Sequence, residues 1–133
     1  MMNDVGMSES LSKELQPFGI RVVLVEPGYF RTRFFQAFVA PEAGLTGDYV
    51  GTPVEAALKA IKAKDGSQEG DPGKAAQRIL EVVTMTGMGV GTEAFLRVPL
   101  GQDCYNRFQM KCDTLQANLV QMKEIAHSTG FDS

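Results

Sequence analysis

Seven residues, Ile20-Arg21-Val22-Val23-Leu24-Val25-Glu26, constrain this chain more than any other segment. Val22 to Val25 are apolar without polar alternation, and three of the four are β-branched. That pattern predicts a strand covered on both faces, as in a parallel sheet flanked by helices. Pro17 and Gly19 turn the chain into the strand, and Pro27-Gly28 break it at its carboxyl end. Ligands of open α/β sheets bind outside the carboxyl ends of the strands. The Pro-Gly turn, followed by the hydroxyl of Thr32, therefore marks a candidate binding crevice.

The flanking patterns supply the helices of such a sheet. Met7, Leu11 and Leu15 recur every four residues and predict a short amphipathic helix ahead of the strand. Helix, turn and buried strand form the second half of a βαβ unit. A second helix is expected to open at Thr52, with Pro53 in its first turn, Glu55 closing a capping box, and Ala57, Leu58 and Ile61 inward. A third should start at Asp71-Pro72, with Ala75, Ala76, Ile79, Leu80 and Val83 inward. Thr84 to Glu93 reads as a glycine-rich turn, and Ala94 to Leu100 as a short strand ended by Pro99 and Gly101. From Asp103 to Ser128, apolar residues recur at spacings of three and four (Tyr105, Phe108, Cys112, Leu115, Leu119, Met122, Ala126), giving an amphipathic helix of about seven turns. Packing onto its own domain is the favoured role for that stripe, and dimerisation the other.

Composition removes whole classes of function. The 133 residues, 44% hydrophobic, suffice for one domain with its own core. A net charge of −3, with basic residues scattered, gives no nucleic-acid surface. Apolar runs fall far short of a membrane span, and residues 1–5 carry no secretory signal, so a cytoplasmic location is expected. Cys104 and Cys112, eight apart on one helix, would place their Cα atoms roughly 12 Å apart. A disulfide needs less than about 7 Å, and two buried thiols are expected instead. His127 is the only histidine and lies at a helix end, where it complements the dipole. No set of ligands suits a metal, and no nucleophile–base pair stands at motif spacing. Gly87-Met88-Gly89-Val90-Gly91 brings its third glycine one residue too early for a dinucleotide loop and reads as a flexible turn. Tyr29, Phe30, Phe34, Phe35 and Phe38 cluster in an irregular segment, either as ordinary packing or as the lining of an apolar pocket.

Gly6 to Leu15, Pro17-Phe18-Gly19-Ile20-Arg21-Val22 and Val25-Glu26-Pro27-Gly28-Tyr29-Phe30-Arg31-Thr32, in series, closely resemble the short-chain dehydrogenase/reductase family. Gly70-Asp71-Pro72 is similar to the opening of that family's late helix, and Phe95 to Gly101 to its final strand. The terminal helix, with Ile125 to Thr129, resembles the extension of fungal and bacterial members. The resemblance implies an α/β fold, namely the C-terminal part of a Rossmann-like doubly wound parallel sheet, helix-rich and with the sheet incomplete. Residues 1–133 would form one partial domain, with 29–70 as a substrate-side lid and 103–128 as the C-terminal amphipathic helix. It also implies hydride transfer between NAD or NADP and a small alcohol or carbonyl substrate. Pro27 and Gly28 would wall the nicotinamide, Thr32 would bind its carboxamide, and Tyr29, Phe30 and Phe34 would face the substrate.

One departure from the family is large. Its members carry a glycine-rich phosphate loop, a catalytic serine and a Tyr-x-x-x-Lys pair whose tyrosine serves as general acid/base. Here Tyr29 is followed four residues later by Arg33, Tyr49 by Pro53 and Tyr105 by Gln109. No residue of this chain is therefore assigned a catalytic role, and the pair would fall just upstream of Met1. The expectation is a C-terminal piece of an oxidoreductase that is inactive alone. The alternative is a non-enzymatic, self-associating or interaction module built on strand 20–26 and helix 103–128.

Overall fold

The computed structural model describes residues 2–34, 37 and 44–131, with side chains from Gly6 onward. The elements in order are α1 (Met2–Leu15), β1 (Leu24–Pro27), α2 (Pro53–Ala63), α3 (Pro72–Thr84), β2 (Arg97–Leu100) and α4 (Gln102–His127). β1 and β2 form a two-stranded parallel sheet in the register Leu24–Arg97, Val25–Val98, Glu26–Pro99, Pro27–Leu100. The fold is thus a helix-rich α/β arrangement around a parallel pair. A cross-strand fork reinforces it: Arg97 donates through Nε to Glu26 Oε2 (2.9 Å) and through Nη2 to Glu26 Oε1 (2.6 Å). The same guanidinium lies 4.9 Å from the centre of the Phe108 ring, joining both strands to α4.

Each strand is shorter than its apolar run suggests, and each contains a proline. The amides of Leu24 and Gly28 donate to the Leu96 and Leu100 carbonyls (2.7 and 2.8 Å). Successive residues of a strand point their backbone groups to opposite edges. The nitrogens of Pro27 and Pro99 therefore face away from the shared ladder, where a missing N–H breaks nothing. Pro27 consequently ends β1 from inside rather than stopping it at Glu26. Ile20 to Val23 lead into β1 without being part of it, since β2 begins only at Arg97. The expectation of two covered faces is also corrected. Leu24, Val25 and Glu26 are half-buried and Pro27 is exposed, because the sheet has a single partner strand among the described residues. Val82 of α3 is the one fully buried apolar side chain described.

The helix starts follow the sequence to differing degrees. Asp71 caps α3, its Oδ1 accepting from the amides of Gly73 (2.8 Å) and Lys74 (3.2 Å), with Pro72 in the first turn. At α2 the capping box is displaced by one residue. Glu55 Oε2 accepts from Gly51 N (2.8 Å), and the Thr52 hydroxyl donates back to the Tyr49 carbonyl (2.7 Å) instead of capping. Hydrogen bonding to Lys59, then to the Gly51 amide, holds the Glu55 carboxyl below its usual range. Gly19, at φ 69°, turns the chain out of the short 3-10 turn that follows α1.

Buried helix faces are rotated from the expected ones. On α3 the inward stripe is Ala75, Arg78, Ile79 and Val82, while Leu80 and Val83 are exposed. On α1 Ser8, Ser12 and Leu15 are the half-buried residues, and Met7 and Leu11 face solvent. Ala57 of α2 is likewise exposed, leaving Leu58 and Ile61 half-buried. The largest correction concerns α4. Beyond Phe108 every described residue of this helix is exposed, so the Cys112–Ala126 stripe does not pack onto the rest of this chain. Cys112 is exposed with it, and both thiols are free. No helix among the described residues is long and apolar enough to cross a membrane.

The two N-caps yield a direct comparison. Asp71→Ala should lower stability by about 1 kcal/mol through loss of its capping bonds. Thr52→Ala should cost less, since its hydroxyl caps no helical amide. Thermal unfolding followed by circular dichroism checks the order, and equal losses would contradict the capping geometry.

Candidate functional site

At the carboxyl end of β1 the chain turns sharply, and the first two turns of α4 hold that turn in place. Gly101, at φ 94°, lets the chain leave β2 and enter α4 at once. Three α4 side chains then reach back across the sheet. Asp103 Oδ2 accepts from Tyr29 N (3.0 Å). The Cys104 thiol donates to the Glu26 carbonyl (3.1 Å). Arg107 Nη2 donates to the Tyr29 hydroxyl (3.1 Å), its guanidinium 5.0 Å from the ring centre. A Cβ on Gly28 would lie 2.1 Å from Asp103 Oδ1, which explains glycine at this position. The Asp103 carboxylate occupies the space a side chain would take.

A second strut comes from the segment between α2 and α3. Phe30 and Gly70 form a parallel bridge, with Arg31 N donating to Gly70 O (2.8 Å) and Gly70 N to Tyr29 O (3.2 Å). The Arg31 side chain donates twice to the carbonyl of buried Gln68, from Nε (3.2 Å) and Nη2 (3.0 Å). Lys64, capping the end of α2, brings its ammonium 5.8 Å from the Tyr29 ring centre. Residues 27–31 are thus fixed from two directions by elements distant in sequence.

The residues singled out from the sequence divide into two groups. Pro27, Gly28, Tyr29 and Phe30 lie in this braced turn. Thr32 and Phe34 stand beyond it in an exposed stretch, where the Phe34 amide donates to Thr32 Oγ1 (3.3 Å). Phe34 is 73% exposed. Phe35 and Phe38 lie outside the described residues. Sequence reasoning missed Asp103, Cys104 and Arg107. An acidic residue in the first turn after a strand-ending glycine was the available signal, since a carboxylate is favoured near a helix N-terminus.

Electrostatics separates structural groups from accessible ones. Burial pushes the Cys104 thiol above its ordinary value, and the nearby Glu26 carboxylate adds to the effect. A protonated thiol donating to a carbonyl is a packing group, not a nucleophile. At the other end of the molecule the glycine-rich turn folds back on α3. A Cβ on Gly89 would lie 2.1 Å from the Glu81 carbonyl, and Met88 N donates to Glu81 Oε2 (3.2 Å). A carboxylate already answers that amide, so the turn offers no phosphate cradle there. Arg78 first, and then the Met88 amide, hold the Glu81 carboxyl below its usual range.

Comparison with known proteins places this geometry in context. No family model matches the chain. It is 46% identical over 54 residues to the oxidoreductase claN of Passalora fulva, a match covering 41% of this chain and 24% of that protein. It is 31% identical over 100 residues to the uncharacterized oxidoreductase YusZ of Bacillus subtilis (strain 168), covering 73% of this chain and 33% of the relative. A solved short-chain dehydrogenase from Streptomyces avermitilis superposes with a TM-score of 0.74 at 31% identity, over 95% of this chain and 42% of that one. The chain therefore spans about a quarter to a third of the curated relatives it matches.

The Gly28–Asp103 contact makes a strong prediction. Gly28→Ala should destabilise the fold by about 1–3 kcal/mol through overpacking. Adding Asp103→Gly to that variant should recover part of the loss, because the two positions compete for one space. A double-mutant cycle in urea measures the coupling, and simple additivity would show that the carboxylate is not what excludes the side chain.

Proposed function

We propose that this chain, which belongs to the short-chain dehydrogenase/reductase family, forms the nicotinamide-side wall of an NAD(P)-dependent oxidoreductase acting on a small alcohol or carbonyl compound. The observation that carries this reading is the braced Pro27–Tyr29 turn at the carboxyl end of a parallel strand, with the Thr32 hydroxyl just beyond it. Oxidoreductase relatives support the reaction class.

The residues present fit the nicotinamide end of such a cofactor. Gly28, packed against the Asp103 carboxylate, holds the backbone after Pro27 in a fixed course at the strand end. Thr32 Oγ1 accepts from Phe34 N and keeps its own proton to donate to a carboxamide oxygen. Bound there, a nicotinamide would supply or take up hydride. Pro27 and Gly28 would limit its approach on one side, and Tyr29, Phe30 and the stretch to Gly70 would border the substrate. Phe34, exposed at the outer edge of that stretch, would face the substrate as well. Proton transfer has no assigned residue in this chain, because none of its tyrosines stands four residues before a lysine. The chain alone is accordingly inactive, and NAD and NADP are not distinguished by the residues assigned.

Titrating the 133-residue chain with reduced nicotinamide mononucleotide, followed by nicotinamide fluorescence, tests the site. Thr32→Val should weaken binding about threefold to tenfold, the worth of one hydrogen bond. Unchanged binding would remove Thr32 from the site. Cofactor oxidation by the purified chain with a carbonyl substrate, abolished by Thr32→Val, would overturn the expectation of inactivity.

A second reading, self-association through α4, is favoured by one observation. Leu115, Leu119 and Met122 share an apolar stripe yet are 50%, 66% and 43% exposed. Replacing Leu115 and Leu119 with Glu should leave the monomer's stability within about 0.5 kcal/mol, as for exposed positions. Light scattering should then show a smaller species if the stripe joins two copies. A monomer before and after the change excludes that reading.

A further inference from the structure

The geometry points to an anion-binding subsite beside Tyr29, formed by Lys64 and Arg107, so that the substrate carries a carboxylate or similar anionic group away from its reacting carbon. This inference rests on the reading of Tyr29 as a substrate-side residue. Two cations from separate elements converge on one ring, Lys64 from the end of α2 and Arg107 from the second turn of α4. Their distances to that ring place them within about 11 Å of each other, and both side chains are exposed. No carboxylate lies within ion-pair distance of either among the described residues; the ion pairs found there use Lys59, Arg78 and Arg97. Asp103, the nearest acid on the Arg107 face of α4, is turned to the Tyr29 amide.

Arg107 is also oriented. Its Nη2 bond to the Tyr29 hydroxyl fixes the guanidinium, leaving its other donors for a ligand. The chain as a whole is acidic, at −3, so two cations with no ion-pair partner among the described residues are not a by-product of composition. Positive charge gathered at one edge of a site raises the local concentration of an anionic ligand and orients it. Recognition here would be by the planar guanidinium of Arg107 donating to the ligand's carboxylate, assisted by the point charge of Lys64.

Levulinate, a ketone bearing a distal carboxylate, and its neutral methyl ester are suitable probes. Amide and side-chain shifts of the isotope-labelled full chain would be followed by NMR at low salt. Levulinate should perturb Tyr29, Lys64 and Arg107 more strongly than the ester. Lys64→Met and Arg107→Met, which keep the apolar stems, should each weaken levulinate binding about fivefold, the worth of a partly exposed ion pair. Equal response to acid and ester, or a preference surviving in both variants, would overturn the subsite. Reduced nicotinamide mononucleotide is read separately at Gly28 and Thr32. Its failure there with levulinate still bound at Arg107 counts against the cofactor wall alone, and the converse against the anion subsite alone.

Discussion

The carboxylate of Asp103 is the contact on which the site depends. It accepts the Tyr29 amide and fills the volume that glycine leaves at position 28, so the turn after β1 has one available course. Neither partner suffices alone. A side chain at 28 would drive Asp103 out, and without Asp103 the Tyr29 amide would lose its acceptor. Cys104 and Arg107 extend the same grip to Glu26 and to the Tyr29 hydroxyl. One helical turn thereby converts a flexible Pro-Gly sequence into a fixed edge at the carboxyl end of β1, and rigid elements of this kind are what give a binding site its precision.

What the sequence revealed is what local chemistry determines. Asp71-Pro72 identified a helix start because its carboxylate and the following amides lie within a few residues. The run ending in Pro27 identified a parallel strand because β-branched residues suit a sheet. The extent of that strand was not legible, since it is set by the four residues β2 offers in return. Helix faces were misread for a related reason. On α3, Leu80 and Val83 are as apolar as Ile79 and Val82, and only the position of the neighbouring elements decides which pair is covered. The bracing of the site was hidden entirely, because Asp103 and Tyr29 are separated by 74 positions and nothing local links them.

The same long helix serves two regimes along its length. Its first two turns are tied to the sheet by side-chain hydrogen bonds and by the Arg97–Phe108 contact. Every described residue beyond Phe108 is exposed. An isolated helix of that length is held together by its own hydrogen bonds with modest stability, and tertiary packing normally supplies the remainder. Anchorage at the N-terminal end alone gives α4 a fixed direction while leaving its apolar stripe uncovered. The anchor therefore orients two surfaces at once, the Tyr29 turn and the stripe. The heptad-like spacing that looked like evidence for a core is, in this chain, a pattern without a core to meet. Apolar periodicity reports that a face seeks cover; whether the cover belongs to the same chain is decided by geometry that periodicity does not contain.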